Sequence, residues 1–331
     1  MDRRGHKLLK ITIFMAVFLI IFGCAKKAEN DETGTQTETI KEFDSSDSLG
    51  RIKADGAGDS NFGSFAVSSG DALYIRTDRG IEKIEKGSKK AKLIHKSSEA
   101  DMLLVSDGIV YFSEKDSVFR INGDKAEKIF DRHSVKDAAD FGDIEDFAVS
   151  GMRLYAKSGS YLAEFRHDIR TVTKVYENIG LFAVKGNEMI YTTADRNDII
   201  RHMRVDTGEK TEGVIALSEP FDALYDFDGG FAFKTERGGL YCISRWYALV
   251  NSFNLPQNAE ELKVLSYGAR LFAAVKTSGG VSLYSLDENG SASLVLEGIN
   301  AASAADCALA GDTLYYLSRA SGRVEKAQLK N

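Results

Sequence analysis

Residues 147–177 read FAVSGMRLYAKSGSYLAEFRHDIRTVTKVYE, and this stretch decides the fold. An apolar segment is followed by a glycine turn, a segment with Leu-Tyr, a polar turn, a third segment, another turn and a short aliphatic segment. Apolar and polar residues alternate with a period of two, and Val, Tyr and Phe are frequent, which is typical of β-strands. The stretch therefore predicts four short strands joined by tight turns.

The same pattern occurs seven times along the chain. The other copies begin at Phe65, Leu103, Phe182, Leu224, Val264 and Cys307. Turn glycines recur at spacings of 35–43 residues, and they are Gly70, Gly108, Gly151, Gly186, Gly229, Gly268 and Gly311. A four-stranded propeller blade has a period of about 40–50 residues. We therefore predict an all-β fold, a seven-bladed β-propeller, with six or eight blades as the alternatives.

The seventh copy ends after three strands, near Gln328. A candidate for its fourth strand lies at the other end of the chain, where residues 37–43 read TETIKEF, similar to AEKIF at 126–130. A ring has no free strand edge when both ends of the chain share one blade. We therefore predict a propeller domain of residues 37–331, with 37–43 as the closing strand of the last blade. The alternative is a three-stranded last blade, with 37–43 in the linker.

The second strands share a hydrophobic–aromatic pattern. It reads LYIRTD at 73–78, VYFSE at 110–114 and LYYLS at 314–318. These segments resemble the repeats of YWTD-type β-propellers and of related bacterial propeller domains of unknown function. The resemblance covers roughly residues 60–330 and implies the architecture. The motif's tryptophan is absent from every copy and YWTD-type propellers usually have six blades, so no binding residue follows from the resemblance.

The N-terminus is organised like a signal peptide. Its basic residues are Arg3, Arg4, Lys7 and Lys10. The apolar core, residues 13–22, is too short for a comfortable transmembrane helix. Residues 21–24, Ile-Phe-Gly-Cys, resemble the bacterial lipobox, although Phe22 departs from the usual small or aliphatic residue. The resemblance implies a signal peptide of residues 1–23, and acyl chains on Cys24 that anchor the protein.

Residues 24–36 are polar and predict a flexible tether. The protein would then be extracytoplasmic, lipid-anchored to the bacterial cell membrane. The alternatives are an uncleaved signal anchor and an ordinary secretory signal with a chance cysteine. Residues 1–23 carry four basic and one acidic residue, so their removal takes the formal net charge from −6 to −9. That charge argues against nucleic acid as a partner.

The connection between the second and third copies is rich in carboxylates. These are Asp137, Asp140, Asp143, Glu145 and Asp146. They indicate either a calcium loop or an acidic rim for a cationic ligand, because hard cations take several oxygens from one flexible segment. The alternative is a solvated loop, since the Asp-x-Asp-x-Asp-Gly spacing of a known calcium loop is absent. We expect no other cofactor.

Aromatic residues form the second candidate binding surface. Arg245, Trp246 and Tyr247 follow one another where other copies carry polar turn residues. The pair of rings is suited to stacking on a sugar or anchoring a partner, and the alternative is packing between blades. We expect Phe221 and Tyr225 on the same face.

The sequence contains no recognisable reactive constellation. His167 and His202 fall in or after third strands, where we expect exposure, and no Cys/His cluster has zinc-ligand spacing. Cys242 and Cys307 are interpreted as buried hydrophobes, with a disulfide as the alternative. The sequence favours a non-catalytic, monomeric surface lipoprotein that binds or scaffolds a protein or glycan. The alternative is a carbohydrate-active hydrolase or lyase with carboxylates at the channel mouth.

Overall fold

The repeated segments fold into seven small antiparallel sheets arranged in a ring, a seven-bladed β-propeller, which confirms the predicted fold and blade number. The structure is a computed structural model. It describes residues 65–67, 72–85, 88, 90–136, 138, 140–227, 230–243, 249–256, 259–267, 270–287 and 290–329. No helix within these ranges is long and apolar enough to cross a membrane.

The strands follow one another through the blades in chain order. Blade 1 contains β1 (Phe65–Val67), β2 (Leu73–Thr77), β3 (Gly80–Ile84) and β4 (Ala91–Lys96), and blade 2 contains β5 (Ala100–Ser106), β6 (Ile109–Glu114), β7 (Ser117–Asn122) and β8 (Lys125–Asp131). Blade 3 contains β9 (Asp146–Ser150), β10 (Arg153–Ser158), β11 (Tyr161–Arg166) and β12 (Thr171–Tyr176), and blade 4 contains β13 (Phe182–Lys185), β14 (Glu188–Thr193), β15 (Arg196–Arg204) and β16 (Lys210–Ala216). Blade 5 contains β17 (Phe221–Phe227), β18 (Gly230–Thr235), β19 (Leu240–Ile243) and β20 (Leu249–Ser252), and blade 6 contains β21 (Glu261–Tyr267), β22 (Arg270–Thr277), β23 (Gly280–Leu286) and β24 (Ala292–Ile299). Blade 7 contains β25 (Cys307–Ala310), β26 (Thr313–Leu317) and β27 (Val324–Gln328). A single turn of 3₁₀ helix, Arg132–Ser134, follows blade 2.

Local sequence explains each hairpin. In blade 3, Leu154 of β10 pairs with Val149 of β9 on one side and with Phe165 of β11 on the other. Gly151 lies in the turn between β9 and β10 with φ = 57°, a left-handed conformation that glycine adopts without a side-chain clash. The alternating pattern and the turn glycine therefore fix the register together.

The ring is closed by the first strand of each blade. Each of β1, β5, β9, β13, β17, β21 and β25 lies beside the first strands of the two neighbouring blades, and β25 lies beside β1. The first strands therefore surround the central channel. The core lies between blades: Leu73 and Ile75 of blade 1 pack with Ala308 and Tyr315 of blade 7. Blade 7 has three strands among the described residues, and the predicted closing strand, 37–43, lies outside them.

Candidate functional site

Four acid–base pairs with a largely buried base lie on one face of the ring. We call it the mouth face: the face at which the first strand of every blade begins and the second strand ends. Arg76 pairs with Asp101, and the Nζ atom of Lys157 lies 3.1 Å from Oε2 of Glu145. Nζ of Lys234 lies 2.7 Å from Oδ2 of Asp222, and Lys276 pairs with Glu261. In each pair the base stands near the end of a second strand and the acid near the start of a first strand.

The bases of these pairs are largely buried. Their side chains retain 5–24% of their exposed area, whereas the acids are more open. A partly exposed pair contributes little to the free energy of folding, about 0–1 kcal/mol. The recurrence of these pairs from blade to blade affects the electrostatic field more than the stability, because it places carboxylates around the channel mouth.

Blades 2, 4 and 7 lack such a base at the equivalent position of the second strand, where Ser113, Thr192 and Leu317 stand. In blade 3, Ala156 pairs with Phe147 of the first strand, and Lys157 is the next residue. In blade 4, Tyr191 pairs with Phe182 of the first strand, and the next residue is Thr192. Thr192 is therefore the equivalent of Lys157. A short threonine thus replaces the long basic side chain. Its Oγ1 accepts a hydrogen bond from the N–H of Leu181 at 2.9 Å, and its carbonyl accepts one from Gly180 at 2.8 Å.

A pocket of about 510 Å³ lies beside Thr192 on the mouth face. Three blades line it: Glu145, Asp146 and Lys157 from blade 3, Gly180–Phe182, Thr192–Asp195 and Asn197 from blade 4, and Asp222–Leu224 from blade 5. The volume is within the range of small-molecule sites. We call this site the mouth pocket.

Asp146 is the most perturbed carboxyl of the mouth pocket. Its pKa is raised to about 7, mainly by burial and to a smaller extent by the charge of Glu145, against the opposing effects of Lys157 and the N–H of Phe147. It is enclosed by protein atoms, yet part of its surface remains accessible because it borders the pocket. Asp146 therefore changes its charge near neutral pH.

Asp195, a second carboxyl of the mouth pocket, is ionised at neutral pH. Hydrogen bonds from Thr193 and Asn178 lower the pKa of Asp195, and Nδ2 of Asn178 lies 3.1 Å from its Oδ1. Asp222 is held by Lys234. The pocket thus combines one carboxyl that titrates near pH 7 with the ionised Asp195 of blade 4 and with Asp222 of blade 5, which pairs with Lys234. Such a set is suited to binding a cation or to proton transfer.

The structure divides the predicted acidic connection. Glu145 and Asp146 line the mouth pocket, whereas Asp143 is exposed and pairs with Arg132 at 3.1 Å. Asp140 is also exposed and is not part of the pocket lining. Asp137 lies outside the described residues, and the calcium interpretation remains a prediction.

Some predicted site residues lie elsewhere or outside the described ranges. Cys24, Arg245, Trp246 and Tyr247 lie outside them. Phe221 and Tyr225 are 1% and 2% exposed, so their predicted place on a binding face is wrong. Their side chains fill core clusters on the two sides of β17. They are four residues apart and lie on opposite faces because the strand register shifts between Phe221 and Ala223.

Among the described residues, one group has atoms close enough to share a metal ion: Asp116, Asp131 and His133, within 4.8 Å of one another. Positive side chains already neutralise it. Nζ of Lys128 lies 2.9 Å from Asp131, and Nε of Arg132 lies 3.8 Å from Asp116. We assign no metal to this group.

The buried histidine and cysteines have structural roles. His202 is 6% exposed and hydrogen-bonded to Glu188, so its predicted exposure is wrong. Cys242 and Cys307 are buried thiols that form no disulfide with each other, and they lie in separate core clusters, as the interpretation as hydrophobes predicts. Burial raises the pKa of Cys307 to about 12, which makes it a poor nucleophile.

Comparison with known proteins supports the fold alone. No family model and no curated protein matches the chain. Among solved structures, a chain of the mitotic checkpoint complex is similar with a TM-score of 0.62 at 9% identity, covering 92% of this chain and 96% of that one. BBS1N, solved in complex with ARL6DN, gives 0.60 at 14% identity and covers 86% of this chain and 98% of its own.

PorZ of Porphyromonas gingivalis, described as a bacterial surface component of the type-IX secretion system, gives a TM-score of 0.57 at 10% identity. The match covers 86% of this chain and 39% of PorZ. These identities establish a common architecture and carry no residue roles.

Proposed function

We propose that this protein is a lipid-anchored, non-catalytic binding protein of the bacterial cell envelope, whose propeller holds a protein or glycan partner at the mouth face. The observation that supports binding there is the mouth pocket, which three blades line with charged and apolar groups. Similar propellers have been solved in protein complexes or described at a bacterial surface, which is consistent with a protein partner.

The proposed anchor rests on residues 21–24 and is tested separately. Cys24→Ala should move the protein out of the membrane fraction or leave the signal peptide uncleaved, because the acyl chains supply the membrane affinity. Ser46→Ala is the matched control and should remain in the membrane. A Cys24→Ala protein that is still cut after Gly23 and still membrane-bound would refute the anchor.

The binding proposal is tested by filling the mouth pocket. Ala194 lines the pocket and is exposed, so Ala194→Trp blocks it without altering the core. Ile169, 56% exposed in the turn between β11 and β12, lies on the opposite face, and Ile169→Trp is the control. Pull-down from native membranes, run beside a glycan array, should show a partner that Ala194→Trp loses and Ile169→Trp retains. Equal capture by both variants would contradict the proposal.

One observation favours a second function, a carbohydrate-active hydrolase or lyase. Glycoside hydrolases pair one protonated carboxyl with one ionised carboxylate. Asp146, with a pKa of about 7, and the ionised Asp195 offer that combination around one pocket. Release of reducing ends from envelope glycans, abolished by Asp146→Asn and unaffected by Asp168→Asn, would establish the enzyme and refute the non-catalytic proposal.

A further inference from the structure

We propose that the mouth pocket binds an organic cation, an ammonium or guanidinium group carried on a short aliphatic chain. This inference rests on the proposed function, because it names the chemical group by which the partner is held. Two sources supply that chemistry: a lysine or arginine side chain of a protein partner, and a free aliphatic amine.

The charges of the mouth pocket favour a cation. Four carboxyls line it, Glu145, Asp146, Asp195 and Asp222, against one basic side chain, Lys157. Glu145 neutralises Lys157, and Lys234, behind the lining, neutralises Asp222. Within the part of the chain that the structure describes, Asp146 and Asp195 form no ion pair with a basic side chain. The pocket therefore retains negative charge that a bound cation would neutralise.

The remaining lining suits an aliphatic stem. Leu181, Phe182, Ala194, Ala223 and Leu224 contribute apolar surface beside the carboxylates. Lysine and arginine place their methylene groups against apolar surface while the charged end makes polar contacts. A bare metal ion would gain nothing from this apolar surface. A volume of about 510 Å³ also exceeds what a single ion fills.

Asp146 makes the expected affinity depend on pH. The charged groups that share its pocket are Glu145, Lys157, Asp195 and Asp222. A bound cation favours the ionised form of Asp146, whose pKa of about 7 in the free protein leaves it partly protonated at neutral pH. Affinity should therefore rise as the pH increases through 7, with release of a proton on binding.

The experiment is calorimetric titration of the full-length protein in detergent with Nα-acetyl-arginine methylamide, and with the citrulline derivative as its neutral isostere. We expect the arginine compound to bind about tenfold or more tightly than the citrulline compound, because charge-assisted hydrogen bonds to carboxylates are lost in the latter. Asp146→Asn and Asp195→Asn should each weaken binding about tenfold. Asp168→Asn, on the opposite face, should leave it unchanged.

Equal affinity for the arginine and citrulline compounds would overturn the inference, as would unchanged affinity in both pocket variants with melting temperatures equal to wild type. Tight binding of a neutral sugar in place of any cation would also overturn it. Putrescine binding as tightly as the arginine compound identifies a free amine as the source, and weaker putrescine binding identifies a side chain. If the partner is still lost from Ala194→Trp but retained by Asp146→Asn, the cation inference fails while the proposed function stands.

Discussion

Gly180 connects the stability of the propeller to the mouth pocket, and its replacement by alanine has a calculable consequence. A Cβ atom at this position would lie 2.5 Å from Oγ1 of Thr192 and 2.9 Å from the carbonyl oxygen of Thr193. Thr192 is fully buried and holds Leu181 by a hydrogen bond, so neither contact is relieved by turning a free side chain. The strand end and the segment before β13 must move apart.

Overpacking of this kind costs about 1–3 kcal/mol. For a domain of this size, that loss corresponds to a fall in melting temperature of about 2–6 °C. Gly142→Ala is the matched control, because its new Cβ would meet only Oγ of Ser158, at 3.4 Å. We expect a change within about 0.5 kcal/mol there. Scanning calorimetry compares the melting temperatures of the Gly180→Ala and Gly142→Ala variants. Equal melting temperatures would refute the described packing of Gly180.

Three further predictions follow from burial, charge and topology. Because burial raises the pKa of Asp146 to about 7 in the folded chain, above its value in the unfolded chain, ionising it costs stability as the pH rises from about 4 to about 8. Asp146→Asn should therefore gain stability relative to wild type across that window in urea denaturation, and a pH-independent difference would contradict this. Cys242 and Cys307 should resist a thiol reagent in the native protein and should both react in denaturant, because both are buried and the pKa of Cys307 is raised to about 12. Rapid labelling of the native protein would show that the described burial is wrong. Deleting residues 24–36 should leave the melting temperature unchanged, whereas deleting 24–43 should lower it, because residues 37–43 are predicted to close blade 7; equal melting temperatures would assign them to the tether.

The fold could be predicted from the sequence because the patterns that determine its strands and turns are local and recur in every copy. Alternation with a period of two identifies the strands, and turn glycines such as Gly151 and Gly186 mark the hairpins. Copies of similar length then give the blade number directly. The solvent exposure of individual residues was harder to predict from the sequence. Phe221 looked like a loop residue beside Pro220, but β17 begins at Phe221 and is covered on both faces.

The sequence predicted only part of the mouth pocket. The density of acidic residues identified Glu145 and Asp146, but Asp195 and Asp222 come from other blades and have no local signal linking them to Asp146. A usable signal does exist in the second strands. A basic residue recurs near their ends at Arg76, Lys157, Lys234 and Lys276, whereas the second, fourth and seventh copies have Ser113, Thr192 and Leu317. This signal restricts the departure to three copies and does not select blade 4 among them.

The central claim is that a partner occupies the mouth pocket of the seven-bladed ring. It is tested most directly by placing a photo-activated cross-linking amino acid at Asn197, in the pocket lining, and at Ile169, exposed on the opposite face, in intact cells. We predict a discrete cross-linked product from Asn197 that the Ile169 position does not give. A product from Ile169 alone, or the same product from both positions, would contradict the claim.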